Sequence, residues 1–382
     1  MSTVPLLPGI AQHKIRTDRL EVAYLEAGSG NTPIVLVHGN TASSLFFQDF
    51  MLLLAATNRY KIYAPDMRGF GDTEALWIDA TRGLRDFSDD LYSLAQALGL
   101  TSFHLFGWSL GGNVVMQYAI DHSSTLRSLT LQAPGSPFGF GGTKGPEGVP
   151  IWPDFAGSGG GTANPEFVQR IGQGDRGGDP LSPRTVMNTF YFKPPFRAAP
   201  DREEIYVTSI LSCKVLEGIY PGDMTPSDNW PNVAPGVQGP NNALSPRYLN
   251  QAPFAGISNK PPVLWIRGAD DQIVSDTSMF DFGFLGQLGA VPGWPGAEVY
   301  PPQPMITQIQ TVMNNYAANG GGYSEVVLPD CGHSPHIEKQ DEVFELVDAF
   351  IRKHDGEYPW LFLKDLQSMT QQGRSKPVKL CK

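Results

Sequence analysis

Residues 107–112 read Gly107-Trp108-Ser109-Leu110-Gly111-Gly112. The apolar run Ser102 to Phe106 before them has the character of a strand, and the run Asn113 to Ile120 after them that of an amphipathic helix. Ser109 is therefore expected at a strand-to-helix turn. Glycines at 107 and 111 leave steric room for a serine in a strained backbone conformation, with its hydroxyl projecting from the sheet end. Serine between glycines is common in loops, so the flanking elements are what point to a nucleophile rather than a plain tight turn.

A serine hydroxyl becomes nucleophilic when a histidine takes its proton, and that histidine needs an acid to fix its tautomer. Pro262 to Asp271 is an apolar strand running into the turn Gly268-Ala269-Asp270-Asp271, which presents a carboxylate just past the strand end. Asp271 is the expected acid, with Asp270 as its competitor. The short strand Ser324 to Leu328 leads into Pro329-Asp330-Cys331-Gly332-His333. His333 is the expected base; His336, one helical turn on, is expected to cap or pack.

Taken together, these segments resemble the α/β-hydrolase family, specifically its members with an inserted cap. The resemblance covers about residues 20–134 and 260–352. It rests on five segments in order: His38-Gly39-Asn40 after the strand Ile34 to Val37, Asp66 to Gly71 after Lys61 to Ala64, the serine elbow, the Gly268 to Asp271 turn, and Gly332 to Glu338. It implies a mostly parallel twisted sheet flanked by helices, with triad residues in the order serine, aspartate, histidine on successive strand ends.

An attacked carbonyl develops negative charge that fixed backbone N–H groups can hold. Here those are expected from Leu110, after the nucleophile, and Asn40, after the first central strand. His38 is expected to orient that loop, and the charges of Asp66 to Gly71 to brace it. Asparagine after His-Gly also resembles haloalkane dehalogenases, but those enzymes and epoxide hydrolases carry aspartate at the elbow. Serine at 109 makes acyl transfer the leading chemistry.

Composition agrees with an enzyme that buries a large core. The chain has 382 residues, 41% of them hydrophobic, and a net charge of −10, which disfavours nucleic acid as a partner. No apolar run approaches the roughly 20 residues needed to span a bilayer, and Met1 to Ile15 lacks a basic start followed by a long apolar stretch. Cys213, Cys331 and Cys381 are widely spaced, with neither a disulfide framework nor metal spacing. A cytoplasmic location, with no metal and no cofactor, is expected. Cys331 reads as a buried small hydrophobe.

Along the chain, His13 to Arg16 and Arg19 to Glu26 read as an edge hairpin. Helices are expected near Phe46 to Ala55, Phe87 to Leu98 and Asn113 to Asp121, with a strand at Leu126 to Gln132. The alternation implies a helix-flanked parallel sheet whose site lies at the strand C-terminal ends. A first core part, 1–133, is followed by an insert at 134–258, a second core part at 259–355 that carries a smaller insert at 281–322, and a tail at 356–382.

The 134–258 insert is rich in glycine and proline yet densely aromatic, so it is expected to fold onto the core as a lid. Its clearest helices are Asp201 to Glu217 and Pro183 to Phe190. Both inserts border the strand ends and should enclose a deep pocket. Gly39, Trp108, Trp152, Phe190 and Phe192 are the candidates to line it. The second insert carries a helix at Met305 to Ala318, and Val343 to Ile351 forms the stripe of a last helix. The apolar half of the tail, from Tyr358 to Leu363, is expected to dock on the body or on a second copy, leaving a homodimer open.

The reading that follows is a serine hydrolase of a bulky apolar carboxylic ester or lactone. Its alternatives are hydrolysis of a carbon–carbon bond in a diketone-like substrate and a slow-turnover ligand receptor on the same fold.

Overall fold

In the computed structural model, residues 6–357 are described; the expected docking of Tyr358 to Leu363 falls outside them. Eight strands form one sheet: β1 (Ala11–Arg16), β2 (Glu21–Ala27), β3 (Thr32–Val37), β4 (Tyr60–Pro65), β5 (Phe103–Trp108), β6 (Leu126–Gln132), β7 (Val263–Gly268) and β8 (Tyr323–Leu328). Their order is β1-β2-β4-β3-β5-β6-β7-β8. β1 and β2 pair antiparallel, β2 joins β4 antiparallel, and every later pairing is parallel.

Burial along the strands explains their composition. β1 is exposed along almost its whole length and reads polar, as an edge strand must, whereas every residue of β5 is buried. A strand covered on both faces has no use for polar alternation, and helices supply that cover. α1 (Gln48–Ala56) packs against α5 (Gln340–His354), and α2 (Arg85–Ala97) against α3 (Leu110–His122). α4 (Met305–Ala318) leads into β8.

The segment between β6 and β7 has little regular structure. It holds two short ribbons, Thr143–Lys144 with Val149–Pro150 and Met224–Pro226 with Val233–Pro235. Besides a single turn at Pro240–Ala243, its α-helices are Pro165–Gly172, Pro183–Val186 continuing through a wide turn at Met187–Tyr191, and Pro200–Leu211. The last of these stops six residues short of the expected Glu217. Lys214 N–H instead donates to Gly69 O at 2.9 Å, pulling the chain down onto the core. Phe138, Tyr191, Phe192, Tyr206, Tyr220 and Phe254 from this segment share one continuous apolar core with the sheet and its helices.

The two inserts are joined by polar contacts, most of them buried. Gln303 Nε2 donates to Gly139 O at 2.9 Å and to Gln308 Oε1 at 2.8 Å, and Gln303 Oε1 accepts from Gly141 N at 2.7 Å. Trp230 Nε1 donates to Pro292 O, and Tyr300 OH to Ala156 O. Buried groups such as the Gln303 amide and the Tyr300 hydroxyl are stable only when paired, so their pairing fixes how the inserts meet. Among the described residues, no helix is long and apolar enough to cross a membrane.

Candidate active site

Ser109 stands between β5 and α3 with φ +57° and ψ −124°, a region that L-residues rarely occupy. Its neighbours require glycine. A Cβ on Gly111 would lie 2.2 Å from Val37 O, and one on Gly107 2.3 Å from Gly111 O, so the elbow presses the start of α3 directly on β3. Ser109 N–H donates to Gln132 O at 2.9 Å, tying the turn to β6 as well. The strain is thus held by backbone on two sides, and the serine side chain lines a cavity of about 530 Å³.

His333 lines the same cavity. It follows β8, and its Nδ1 is 2.8 Å from Asp271 Oδ2, with both side chains buried. Asp271 follows β7. Its other oxygen accepts from the N–H groups of Ile273 at 2.8 Å and Val274 at 2.9 Å. The acid and base loops meet because a glycine separates them: a Cβ on Gly268 would lie 2.1 Å from Gly332 O. Asp270 points elsewhere, half-exposed and 3.0 Å from Lys193 Nζ. Among the described residues no hydrogen bond joins Ser109 Oγ to His333; such contacts are commonly long in a free enzyme and tighten with substrate.

His336 lies behind the elbow, with its ring 4.9 Å from Trp108 and 5.0 Å from Phe47. Gln132 Nε2 faces its Nδ1 at 2.6 Å, and burial, with His333 nearby, pushes it down to about 3, so it stays a neutral packing group. His38 is fixed as one tautomer. Met67 N–H donates to Nε2 at 2.9 Å, so the proton sits on Nδ1, which donates to Gly39 O at 2.8 Å. Burial holds it down to about 4.

The Asp66 to Gly71 loop is braced as its charges suggest. Asp66 accepts from Ser44 N and Asp72 N, and Arg68 makes a two-pronged pair with Asp90 at 2.7 and 2.8 Å.

Asn40 and Leu110 both line the cavity beside Ser109, and neither backbone N–H has an acceptor among the described residues. That leaves two amides free at the serine. The five residues expected to line the pocket separate. Phe190 and Trp108 border it, Trp108 through a small part of a buried ring whose Nε1 donates to His333 O at 2.8 Å. Gly39 lies against the nucleophile itself, where a Cβ would sit 3.0 Å from Ser109 Cβ. Trp152 and Phe192 are elsewhere. Trp152 Nε1 is committed to Trp230 O, and Phe192 is fully buried against Phe196 and Tyr206.

Several lining residues had no distinguishing signal in the sequence: Ile273, Val274, Met279 and Phe280 after the acid, and Asn241 in the insert. Glu338, within the Gly332 to Glu338 segment, accepts from the N–H groups of Gly332 and Ser334 and so holds His333 from both sides. Its burial raises its pKa.

Residues 32–173 match the family model described as alpha/beta hydrolase fold. The chain has the α/β-hydrolase fold. An esterase from Exiguobacterium antarcticum superposes with a TM-score of 0.57 at 16% identity, covering 89% of this chain and 98% of that one. In sequence, the chain is 29% identical over 122 residues to a soluble epoxide hydrolase of Corynebacterium sp. (strain C12), and 29% over 117 residues to 2-hydroxy-6-oxo-6-phenylhexa-2,4-dienoate hydrolase of Comamonas testosteroni. These matches take in 32% and 30% of this chain, and span only 41% and 40% of the relatives' own length.

Proposed function

We propose that this α/β hydrolase cleaves a neutral, bulky carboxylic ester or lactone through an acyl-enzyme formed on Ser109. The observation that carries the reading is the shared cavity: a serine held at φ +57° and a histidine paired with a buried aspartate open onto one largely apolar space with two free backbone amides beside them.

In this mechanism Ser109 Oγ attacks the carbonyl carbon while His333 Nε2 takes its proton. Asp271 holds the Nδ1–H and stabilises the imidazolium. The Asn40 and Leu110 amides receive the negative charge that grows on the carbonyl oxygen. Collapse breaks the carbon–oxygen bond, and His333 protonates the departing alkoxide. Water then attacks the acyl-enzyme with His333 as base, releasing the acid; a lactone gives a hydroxy acid by the same steps.

The lining supports a neutral substrate. Among the described residues it contains no Lys, Arg, Asp or Glu, and its tyrosines, Tyr191 and Tyr220, are pushed by burial further from ionisation. The dienoate named for the Comamonas relative carries a carboxylate, which would here enter a largely apolar space where no Lys or Arg among the described residues meets it, at a heavy desolvation cost. A serine at the elbow likewise offers no carboxylate for an alkyl-enzyme route of the epoxide hydrolase kind.

The test is a panel of aryl esters, bulky aliphatic esters, lactones and dienoates, run on wild type and on Ser109→Ala. Ester or lactone turnover should fall by on the order of 10³-fold or more in the variant. An organophosphonate should add mass to the Ser109 peptide of the wild type. Ester turnover that survives Ser109→Ala would end the acyl-enzyme reading.

A further inference from the structure

The loop that offers the Asn40 amide does not hold its own shape. Thr41, the next residue, has φ +44°, in the left-handed region where a β-branched side chain is costly. Such a conformation persists when surrounding groups impose it. Here those groups come from the insert after β6.

Tyr191 OH is hydrogen-bonded to Thr41 Oγ1 and reaches Asn40 O at 3.4 Å. Fifty residues further along the insert, Asn241 Oδ1 accepts from Asn40 Nδ2 at 2.8 Å. Asn40 Oδ1 in turn accepts from Thr41 N at 3.1 Å. The amide side chain of Asn40 is therefore spent on bracing its loop, with its donor on the insert and its acceptor on the next residue.

The insert grips the other two loops from the same place. Two residues after Tyr191, Lys193 N donates to Glu338 Oε2 at 2.7 Å, the carboxylate that also holds the amides flanking His333. Lys193 Nζ pairs with Asp270 at 3.0 Å and with Asp330 at 2.6 Å, beside the acid and before the base. Three consecutive residues, 191–193, thus span the oxyanion, acid and base loops.

We infer that the insert completes the oxyanion hole: Tyr191 and Asn241 are positioning residues that hold the Asn40 N–H where the carbonyl oxygen becomes negative. This rests on the acyl-transfer reading above. It makes the lid part of the catalytic apparatus as well as a wall of the pocket. Loosening either anchor frees the loop, so the amide must be ordered during reaction, and the loss appears in the transition state rather than in substrate binding.

The experiment compares wild type, Tyr191→Phe and Asn241→Leu on a small aryl acetate that does not reach the lid's apolar wall. The expected result is a kcat lower by at least about tenfold in each variant with KM within about twofold. Affinity for an aryl trifluoromethyl ketone, whose adduct carries the oxyanion, should fall by the same factor as kcat. Backbone amide exchange at residues 39–42 should speed up in both variants.

Wild-type kcat in both variants, or equal losses in kcat and in substrate affinity, overturns the inference. Should Tyr191→Phe fail to fold, Asn241→Leu carries the same test from a position that is only partly buried. If wild type shows no Ser109-dependent ester turnover, the acyl-transfer reading fails by itself. Amide exchange then decides the clamp: faster exchange at 39–42 supports it, and unchanged exchange overturns it.

Discussion

His333 Nδ1 lies 2.8 Å from one oxygen of Asp271, and the other oxygen of that carboxylate is held by the amides of Ile273 and Val274. Each oxygen therefore has its own task. In Asp271→Asn the carbonyl oxygen would keep the two backbone amides, leaving the NH2 to face His333. Nδ1 would then accept, the proton would move to Nε2, and the base would be lost for Ser109.

The expected result is a fall in kcat on the order of 10³ to 10⁴-fold for Asp271→Asn. Asp270→Asn should stay within about twofold, since that side chain only pairs with Lys193 near the surface. Steady-state kinetics on one ester suffice, and the reverse ranking would transfer the role to Asp270.

Ser109 carries a second, independent prediction in stability. At φ +57° and ψ −124° any side chain is strained, and glycine is not. Ser109→Gly should abolish ester turnover while raising unfolding free energy by about 1 kcal/mol, after allowing for the greater freedom of glycine in the unfolded chain. Urea unfolding of wild type, Ser109→Ala and Ser109→Gly measures this. A glycine variant less stable than the alanine variant would mean that the elbow is not strained.

Much of the core was legible because its signals are local. The strand to Phe106, the glycines at 107 and 111 and the helix from Asn113 required only periodicity and steric room, and the structure has β5, the elbow and α3 there. The turn after β7 was legible as well, but the choice between Asp270 and Asp271 was not, since what separates them is their distant partners, Lys193 for the first and His333 for the second. The insert was not legible in the same way. Trp152, Phe190 and Phe192 look alike as aromatics in a proline-rich stretch, and what separates them is partners distant in sequence: Trp230 for the first, the cavity with Phe280 for the second, Phe196 and Tyr206 for the third. Asn241 and Asn40, 201 residues apart, gave no pattern at all. Long-range polar pairing has no period to read.

Asp281 gives a pH prediction away from the chemistry. It caps the short helix Phe282–Gln287, accepting from Phe284 N and Gln303 N on one oxygen, and burial raises its pKa from 3.8 to about 6. A carboxyl that binds its proton more tightly in the fold than in the unfolded chain stabilises the fold fully below pH 3.8. That contribution is lost as pH rises through about 6 and is absent above it. An asparagine in its place has no such proton to bind. The stability of Asp281→Asn relative to wild type should therefore move in the variant's favour by up to about 3 kcal/mol between roughly pH 3.5 and 7. Denaturant unfolding across that range checks it; a pH-independent difference would mean that Asp281 titrates normally.

The aromatics of the insert supply the last test, because the structure assigns different consequences to residues of the same kind. Phe190 borders the cavity, only partly buried and edge-on to Phe280 at 5.2 Å. Phe190→Ala removes apolar contact from a bulky substrate and little from the fold. It should raise KM for a large apolar ester about tenfold while leaving a small aryl acetate near wild type. Phe192 is fully buried among Phe196 and Tyr206 and does not border the cavity. Phe192→Ala should cost about 3–5 kcal/mol of stability, with no preference between large and small substrates at temperatures where it stays folded. Trp152→Ala should resemble Phe192→Ala more weakly, since it loses one indole hydrogen bond and a half-buried ring. Kinetics on the two esters, paired with thermal unfolding of each variant, resolve these patterns. If all three substitutions changed the two substrates alike, the insert's aromatics would serve only its own packing, and substrate bulk would have to be set by the residues after Asp271.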